Sequence, residues 1–235
     1  MDEFFSRSEA LLGAEAMEAL REKRVILFGV GGVGSWCAEA LVRTGLTHLT
    51  IVDDDTVQAS NVNRQLPATR ETIGRPKVEV LRERLLAINP EAEIIAIQER
   101  YVAEEENAFD FHLSTYDYII DAIDSVNDKT DLIIRASRVR GAKIFSSMGA
   151  ALRFDPTQVR VAELFDVKGD ALAKAVRARM KKLDCYPNKK IRCVYSLENS
   201  QKPSSASKGS LMQVTAVFGC TLASMVIEDV KKGAQ

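Results

Sequence analysis

A doubly wound α/β fold on a mainly parallel sheet is predicted by three features of this 235-residue chain. The run Val25-Ile26-Leu27-Phe28 reads as a buried strand that enters a glycine-rich turn, Gly29 to Gly34. Trp36, Cys37, Ala40 and Leu41 then mark the inner face of a helix opening behind it. Strand and helix signals alternate from residue 24 to residue 147, as they do where crossover helices join parallel strands. Asp53 and Asp124 each close an apolar run, which sets two acids at the carboxyl ends of strands, where such sheets bind ligands.

Taken in order, Leu11, Leu12, Ala16, Met17 and Leu20 recur at helical spacing and predict one amphipathic helix over 8–21, with Arg7 ahead of it as a solvated charge. Gly29, Gly31 and Gly34 fit the G-x-G-x-x-G spacing, in which glycine permits a tight turn, approach of phosphate oxygens to backbone N–H groups, and close helix packing. The helix start adds unpaired N–H groups and the positive end of its dipole. Residues 48–52 form the next strand, and Asp53 follows at the distance where a carboxylate accepts hydrogen bonds from a ribose. The polar stretch 54–75 is long for a strand-to-helix connection, and loops of that length are often functional. Pro76 opens a helix that ends at Asn89-Pro90. A strand at 93–98, a polar helix at 103–113, a buried strand at 116–123, a helix at 127–140 and a strand at 143–147 complete the alternation.

Beyond Gly149, strands at 158–164 and 192–197 flank a helix at 171–182 and are expected to extend the sheet in an antiparallel sense. The Ser- and Lys-rich stretch 198–210 is expected to be mobile or ordered by a ligand. The apolar tract 211–227 carries Gln213, Thr215 and Thr221 and reads as a buried helix rather than a membrane span. The chain is thus read as one domain, 1–235, with an N-terminal helix at 8–22, a Rossmann-like nucleotide-binding core at 24–147 and a sheet extension with a last helix over 149–235.

Hydrophobic residues make up 46% and charged residues 28% of the chain, and the formal charge is -1, which gives no global bias toward nucleic acid or membrane. Four scattered cysteines without a C-x-x-C pair fit reduced thiols in a cytosol and argue against a structural zinc site. Cys37 and Cys220 sit in apolar helical patterns and read as core, while Cys185 and Cys193 flank a loop and read more readily as packed or idle thiols than as reactive ones. The charged N-terminus lacks the apolar run of a signal peptide, so a cytoplasmic protein is expected.

The polar residues near the glycine turn point to a nucleoside triphosphate. The loop after Asp53 supplies Asn61 and Arg64, and the following helix begins with Lys77. A dinucleotide has little use for two cations and a further carboxylate. Arg and Lys neutralise triphosphate oxygens, and Asp124 suits Mg²⁺, whose hard character favours carboxylate and phosphate ligands. Each of these residues alone also reads as a surface ion-pair partner.

Five motifs, in order and spacing, resemble the adenylation domain of ubiquitin-activating-type enzymes, which include the bacterial activators of sulfur-carrier proteins: Gly29-Val-Gly-Gly-Val-Gly, Asp53-Asp-Asp-Thr-Val, Ser60-Asn-Val-Asn-Arg-Gln65, Gly74-Arg-Pro-Lys77 and Asp121-Ala-Ile-Asp-Ser125. The resemblance implies ATP-dependent adenylation of a carboxylate. Gly29, Gly31, Gly32, Gly34, Asp53 and Asp55 would hold the nucleotide, Asn61, Arg64 and Lys77 the phosphates, and Asp124 the Mg²⁺, with Arg64, Lys77 and Asp124 catalytic. It also implies a homodimer in which Arg7 reaches the partner's ATP.

Within that family, Gly31-Gly-Val-Gly-Ser-Trp36, Ala38-Glu-Ala-Leu-Val-Arg-Thr-Gly45, Asp155-Pro-Thr-Gln158 and Val214-Thr-Ala-Val-Phe-Gly219 are most similar to the tRNA threonylcarbamoyladenosine dehydratase branch. That likeness implies that ATP activates the threonyl carboxylate of a modified adenosine beside the anticodon, and that the neighbouring carbamoyl group expels AMP as it closes a ring. Some relatives carry a cysteine where this chain has Pro203-Ser-Ser-Ala-Ser207, so the resemblance gives no thiol role there.

The basic stretch Lys174, Arg177, Arg179, Lys181, Lys182, Lys189, Lys190 and Arg192, with Tyr186 among them, suits RNA phosphates or a solvated helix face. Together with 198–210 it is the expected tRNA platform. Two other readings stand beside the dehydratase. An activator of a sulfur-carrier protein ending in Gly-Gly is disfavoured by the missing C-x-x-C pairs, although a sulfur-relay partner stays open. A nicotinamide oxidoreductase or non-catalytic dinucleotide module is disfavoured by the surplus of cations.

Overall fold

Alternation of side chains along the strands decides the architecture. The computed structural model describes residues 3–103, 110–201 and 209–234. In chain order these form α1 (Ser6–Leu12), α2 (Ala14–Arg21), β1 (Arg24–Phe28), α3 (Gly34–Thr44), β2 (His48–Val52), α4 (Lys77–Ile88), β3 (Glu93–Ile97), β4 (Tyr118–Asp121), α5 (Val126–Arg138), β5 (Lys143–Ser147), β6 (Val159–Glu163), α6 (Ala171–Leu183), β7 (Arg192–Ser196) and α7 (Met212–Gly233). Val25 and Leu27 of β1 belong to an apolar layer shared with α2, α3, α4 and α7. Ile26 and Phe28, one residue out of step, belong to the opposite layer with α5 and α6. A strand buried on both faces is the reason its sequence reads as an unbroken apolar run.

The sheet has the order β3-β2-β1-β4-β5-β7-β6. All pairs are parallel except β6 with β7. The strand order reverses direction between β1 and β4, so a crevice opens there at the carboxyl ends, where doubly wound sheets bind ligands.

Several expectations need correction. β7 pairs parallel to β5 and only the edge strand β6 runs antiparallel. The long segment between β5 and β7 contains α6, which covers one face of the sheet, and such a crossover is what a parallel neighbour requires. The single helix expected over 8–21 is two, broken at Gly13, whose φ of +89 caps α1 in a region other residues disfavour. As a result Leu11 stays 76% exposed while Met17 and Leu20 enter the core. β4 ends at Asp121 rather than at 123.

Most of the polar helix expected over 103–113, and the heart of the mobile stretch with Pro203 and Ser207, lie outside the described residues. Within what is described, 110–112 is not helical and a short 3₁₀ turn, Leu113–Thr115, follows. α7 is long and apolar enough to cross a membrane by length and composition, yet half of its apolar window is buried in the fold. Val214, Phe218, Leu222 and Val226 share a core with Cys37 and Leu41 of α3. Cys220, expected in the core, is exposed.

Candidate active site

A cavity of about 730 Å³ occupies the crevice between the ends of β1, β2 and β4, a size common for small-molecule sites. Gly31, Gly32 and Val33 line it at the start of α3, where helix N–H groups lack intrahelical partners and the dipole favours anions. Gly34 does not line the cavity. A Cβ there would sit 1.8 Å from the Gly29 carbonyl oxygen, so glycine lets α3 begin directly against the turn. Its part is packing, which keeps the neighbouring N–H groups at the cavity wall.

Asp53 is fixed by the same turn. Its Oδ2 accepts the Val30 N–H at 2.8 Å and its Oδ1 accepts the Asp55 N–H at 3.0 Å. Burial pushes its carboxyl above the usual value, against the pull of the Lys77 ammonium 3.9 Å away. Lys77 itself is only 4% exposed, and its Nζ lies 2.6 Å from Asp55 Oδ2. The long connection 54–75 brings these groups together because it doubles back. Val57 N–H donates to the Arg75 carbonyl at 2.9 Å, and Lys77 N–H to the Asp55 carbonyl at 3.0 Å, so the two ends of the loop are stapled beside β2.

The middle of that loop is held over the glycine turn. Trp36 Nε1–H donates to the Arg64 carbonyl at 3.1 Å, and Ser35 Oγ bonds both the Gly31 carbonyl and the Leu66 N–H. Gln58 N–H donates to Asn61 Oδ1 at 3.0 Å, which sets Asn61 at the start of the segment that ends in Arg64. Arg64 Nη1 rests on the Ser60 carbonyl and Asn63 Oδ1, two neutral acceptors, so no carboxylate among the described residues pairs with it. Gln65 also lines the cavity, and its Oε1 is buried with no hydrogen-bond partner among the described residues. An orphaned polar atom in a cavity wall fits a polar ligand.

Asp124 is exposed in the cavity and makes no hydrogen bond or close ion pair among the described residues. A free carboxylate of this kind fits a hard cation shared with phosphate oxygens. The carboxylates of Asp53, Asp54 and Asp55 also gather, with ligand atoms within 4.8 Å of one another. Lys77 already serves Asp53 and Asp55, so of these four carboxylates Asp54 and Asp124 are the two without a close ion pair among the described residues.

Of the eleven expected residues, nine, Gly29, Gly31, Gly32, Asp53, Asp55, Asn61, Arg64, Lys77 and Asp124, line one cavity. Arg7 does not; it lies exposed on α1.

Several residues at the cavity escaped the sequence reading. Arg100 Nη2 bonds Asp128 Oδ2 at 3.0 Å, and the charges of Asp54 and Asp124 also act on it, each raising its affinity for a proton. Arg153 and Asp170 form a buried ion pair at 2.9 Å at the far end, where Asp170 also takes the Gly149 N–H. Beneath the floor, Lys129 is fully buried. It donates to Asp121 Oδ2 at 2.6 Å and to the Ser147 carbonyl at 2.9 Å. No periodicity marks such pairs, since each partner sits on a different element.

The basic stretch divides. Lys189 Nζ donates to the Val139 and Ala142 carbonyls, and burial lowers its proton affinity. Arg177 Nη1 donates to the Leu164 and Val167 carbonyls. Arg192 lies over the Phe145 ring at 5.7 Å. These three serve the fold, whereas Lys174, Lys181, Lys182 and Lys190 are exposed. Among the thiols, burial pushes Cys37 and Cys193 far up, and half-buried Cys185 accepts from Arg138 at 3.1 Å.

The profile of the ThiF family matches residues 5–232. The chain is 43% identical to the tRNA threonylcarbamoyladenosine dehydratase of Bacillus subtilis (strain 168) over 179 residues, 76% of this chain and 69% of that protein. To the tRNA threonylcarbamoyladenosine dehydratase of Escherichia coli (strain K12) it is 36% identical over 217 residues, 90% of this chain and 80% of that one. The crystal structure of the E. coli tRNA N6-threonylcarbamoyladenosine dehydratase in complex with ATP superposes with a TM-score of 0.88 at 32% identity, covering 99% of this chain and 95% of that one.

Proposed function

The chain belongs to the ThiF family, and from that premise we propose that it uses ATP to adenylate the threonyl carboxylate of threonylcarbamoyladenosine in tRNA and to close that nucleoside into its dehydrated ring. The observation that carries the reading is the convergence of the glycine turn, Asp53, Arg64, Lys77 and Asp124 on one cavity, in a chain that superposes on a dehydratase crystallised with ATP.

The chemistry follows from the groups present. A carboxylate is a poor electrophile, and its attack on the α-phosphorus of ATP releases pyrophosphate and leaves a mixed anhydride. The carbamoyl group of the same nucleoside then attacks the activated carbonyl. AMP departs with one carboxylate oxygen, so the nucleoside loses one water overall. Nucleophile and carbonyl share one molecule, so proximity is built in and no protein nucleophile is needed.

Asp53 and Asp55 hold the ribose side of ATP, and Gly31 and Gly32 present N–H groups to its phosphates. Arg64, Lys77 and Asn61 take up charge that develops as pyrophosphate leaves. Asp124 would hold Mg²⁺, which when bound neutralises phosphate charge. Residues 1–235 act as one adenylation domain in a cytoplasmic homodimer, with Arg7 of one protomer reaching the nucleotide of the other. Activation of a sulfur-carrier protein is the weaker reading, since the sequence lacks the paired C-x-x-C motifs common in such activators.

The test is to incubate the protein with ATP, Mg²⁺ and threonylcarbamoylated tRNA. AMP and a nucleoside lighter by one water are expected. AMP release only when a Gly-Gly-ended carrier protein is supplied would overturn the assignment.

A further inference from the structure

We propose that the solvent face of α6, with the exposed rings of Phe165 and Tyr186, is the surface on which the RNA strand docks while its modified nucleotide enters the cavity. The proposal rests on the reading of the preceding section and adds to it where the RNA lies. α6 begins at the cavity: its cap Asp170 and first residues Ala171 and Leu172 are part of the wall. The helix then runs 13 residues away from it, roughly 20 Å at 1.5 Å per residue.

Lys174, Lys181 and Lys182 are exposed along it, with Lys168 before it and Lys190 after it. None of the five ammonium groups makes a hydrogen bond or ion pair among the described residues. Against them stand the exposed acids Asp166 and Asp184. In a chain with a net charge of -1, this is a local excess of unspent cations, as expected of a track for phosphates.

The aromatic residues supply the second half of the argument. Phe165 is 48% and Tyr186 44% exposed, and their ring centroids lie 6.4 Å apart. Arg177 fastens the turn that carries Phe165 to the middle of α6 through its bonds to the Leu164 and Val167 carbonyls. Exposed rings beside a row of lysines suit unpaired bases, which stack on aromatic faces once splayed from a loop. A nucleotide must be extruded in this way before an enzyme can act on it.

The experiment compares the full chain with two variants, Lys174→Glu/Lys181→Glu/Lys182→Glu and Phe165→Ala/Tyr186→Ala, using tRNA that carries threonylcarbamoyladenosine. Binding is read across a salt series, and ATP affinity serves as the folding control. For the lysine variant, RNA affinity is expected to fall at least tenfold, and the slope of log affinity on log salt to shrink by about two, because each single-strand phosphate contact contributes about 0.7. For the aromatic variant, a loss of about tenfold with an unchanged slope is expected. Both should bind ATP like the parent.

RNA affinity and slope equal to the parent's in the lysine variant would overturn the proposal, leaving the face to solvent or to an acidic protein. A parent chain that neither binds this tRNA nor releases AMP with it would instead overturn the dehydratase reading itself.

Discussion

Lys129 Nζ and Asp121 Oδ2 lie 2.6 Å apart with neither side chain exposed, directly beneath the floor of the cavity. The pair ties two strand ends together. Asp121 closes β4 and uses its other oxygen to accept the Ile123 N–H at 3.0 Å, which fixes the loop leading to Asp124. Lys129 also donates to the Ser147 carbonyl at the end of β5, where the far half of the cavity begins. Removing one member of a buried pair leaves an uncompensated charge. Lys129→Met should therefore cost about 3–5 kcal/mol of stability in urea unfolding, and a double change to Lys129→Met/Asp121→Leu should recover part of it. A single variant as stable as the parent would show that the pair is not needed to hold the floor.

Arg64 and Asp124 offer the most direct test of the chemistry, because among the described residues neither has a carboxylate or cation spent on it within hydrogen-bond reach. Arg64 meets only neutral acceptors, and Asp124 makes no hydrogen bond among the described residues. Arg64→Ala and Asp124→Asn should each slow AMP formation by roughly 10² to 10³ while leaving the unfolding midpoint near that of the parent, as expected for groups that stabilise developing charge. Single-turnover measurements with saturating ATP would read this, and an unchanged rate in both would remove these residues from the site.

The sequence announced the nucleotide half of this cavity because its signals are local. Glycines at fixed spacing, an acid at a strand end and a proline before Lys77 are each legible from a few neighbours. The floor was not legible in that way. Lys129 reads as one more polar residue of α5, and only the fold reveals that Asp121, eight positions earlier on β4, comes to meet it. The direction of β7 was missed for a related reason: a strand of five residues carries no sign of which way its neighbour points, and the α6 crossover decides it. Leu11 was misjudged because helical spacing continued through Gly13 while the backbone did not.

Lys189 and Lys190 are adjacent and alike in sequence, yet the structure gives them opposite parts. Lys189 Nζ satisfies the Val139 and Ala142 carbonyls, whereas Lys190 is exposed. Lys189→Ala should lose about 1–3 kcal/mol through unsatisfied acceptors, and Lys190→Ala should stay within about 0.5 kcal/mol of the parent. Equal thermal midpoints for the two variants would contradict this division.

Asp229, near the end of α7, anchors that helix to the lower edge of the sheet through Tyr118 Oη on β4 and Lys143 Nζ on β5, both at 2.7 Å. Burial pushes its carboxyl upward, but the hydrogen bonds from Lys143 and Tyr118 outweigh that, with a smaller pull from Arg192, and hold it below the usual value. A lowered value in the folded state means that folding favours the ionised form. The stabilisation is therefore fully present above the ordinary Asp value of about 3.9 and is lost as pH falls through the lower, folded value. Tyr118 moves the other way. Burial, then the hydrogen bond with Asp229, raise its value well above that of a free phenol, so its share is present below about pH 10 and lost as pH rises through the folded value. Asp229→Asn should then cost about 1 kcal/mol near neutrality, a modest figure because Lys143 is half exposed. Urea midpoints of parent and variant, taken at intervals from pH 3 to pH 9, should converge toward the acid end. A gap that stays constant down to pH 3 would mean that the carboxylate's charge does not hold α7 in place.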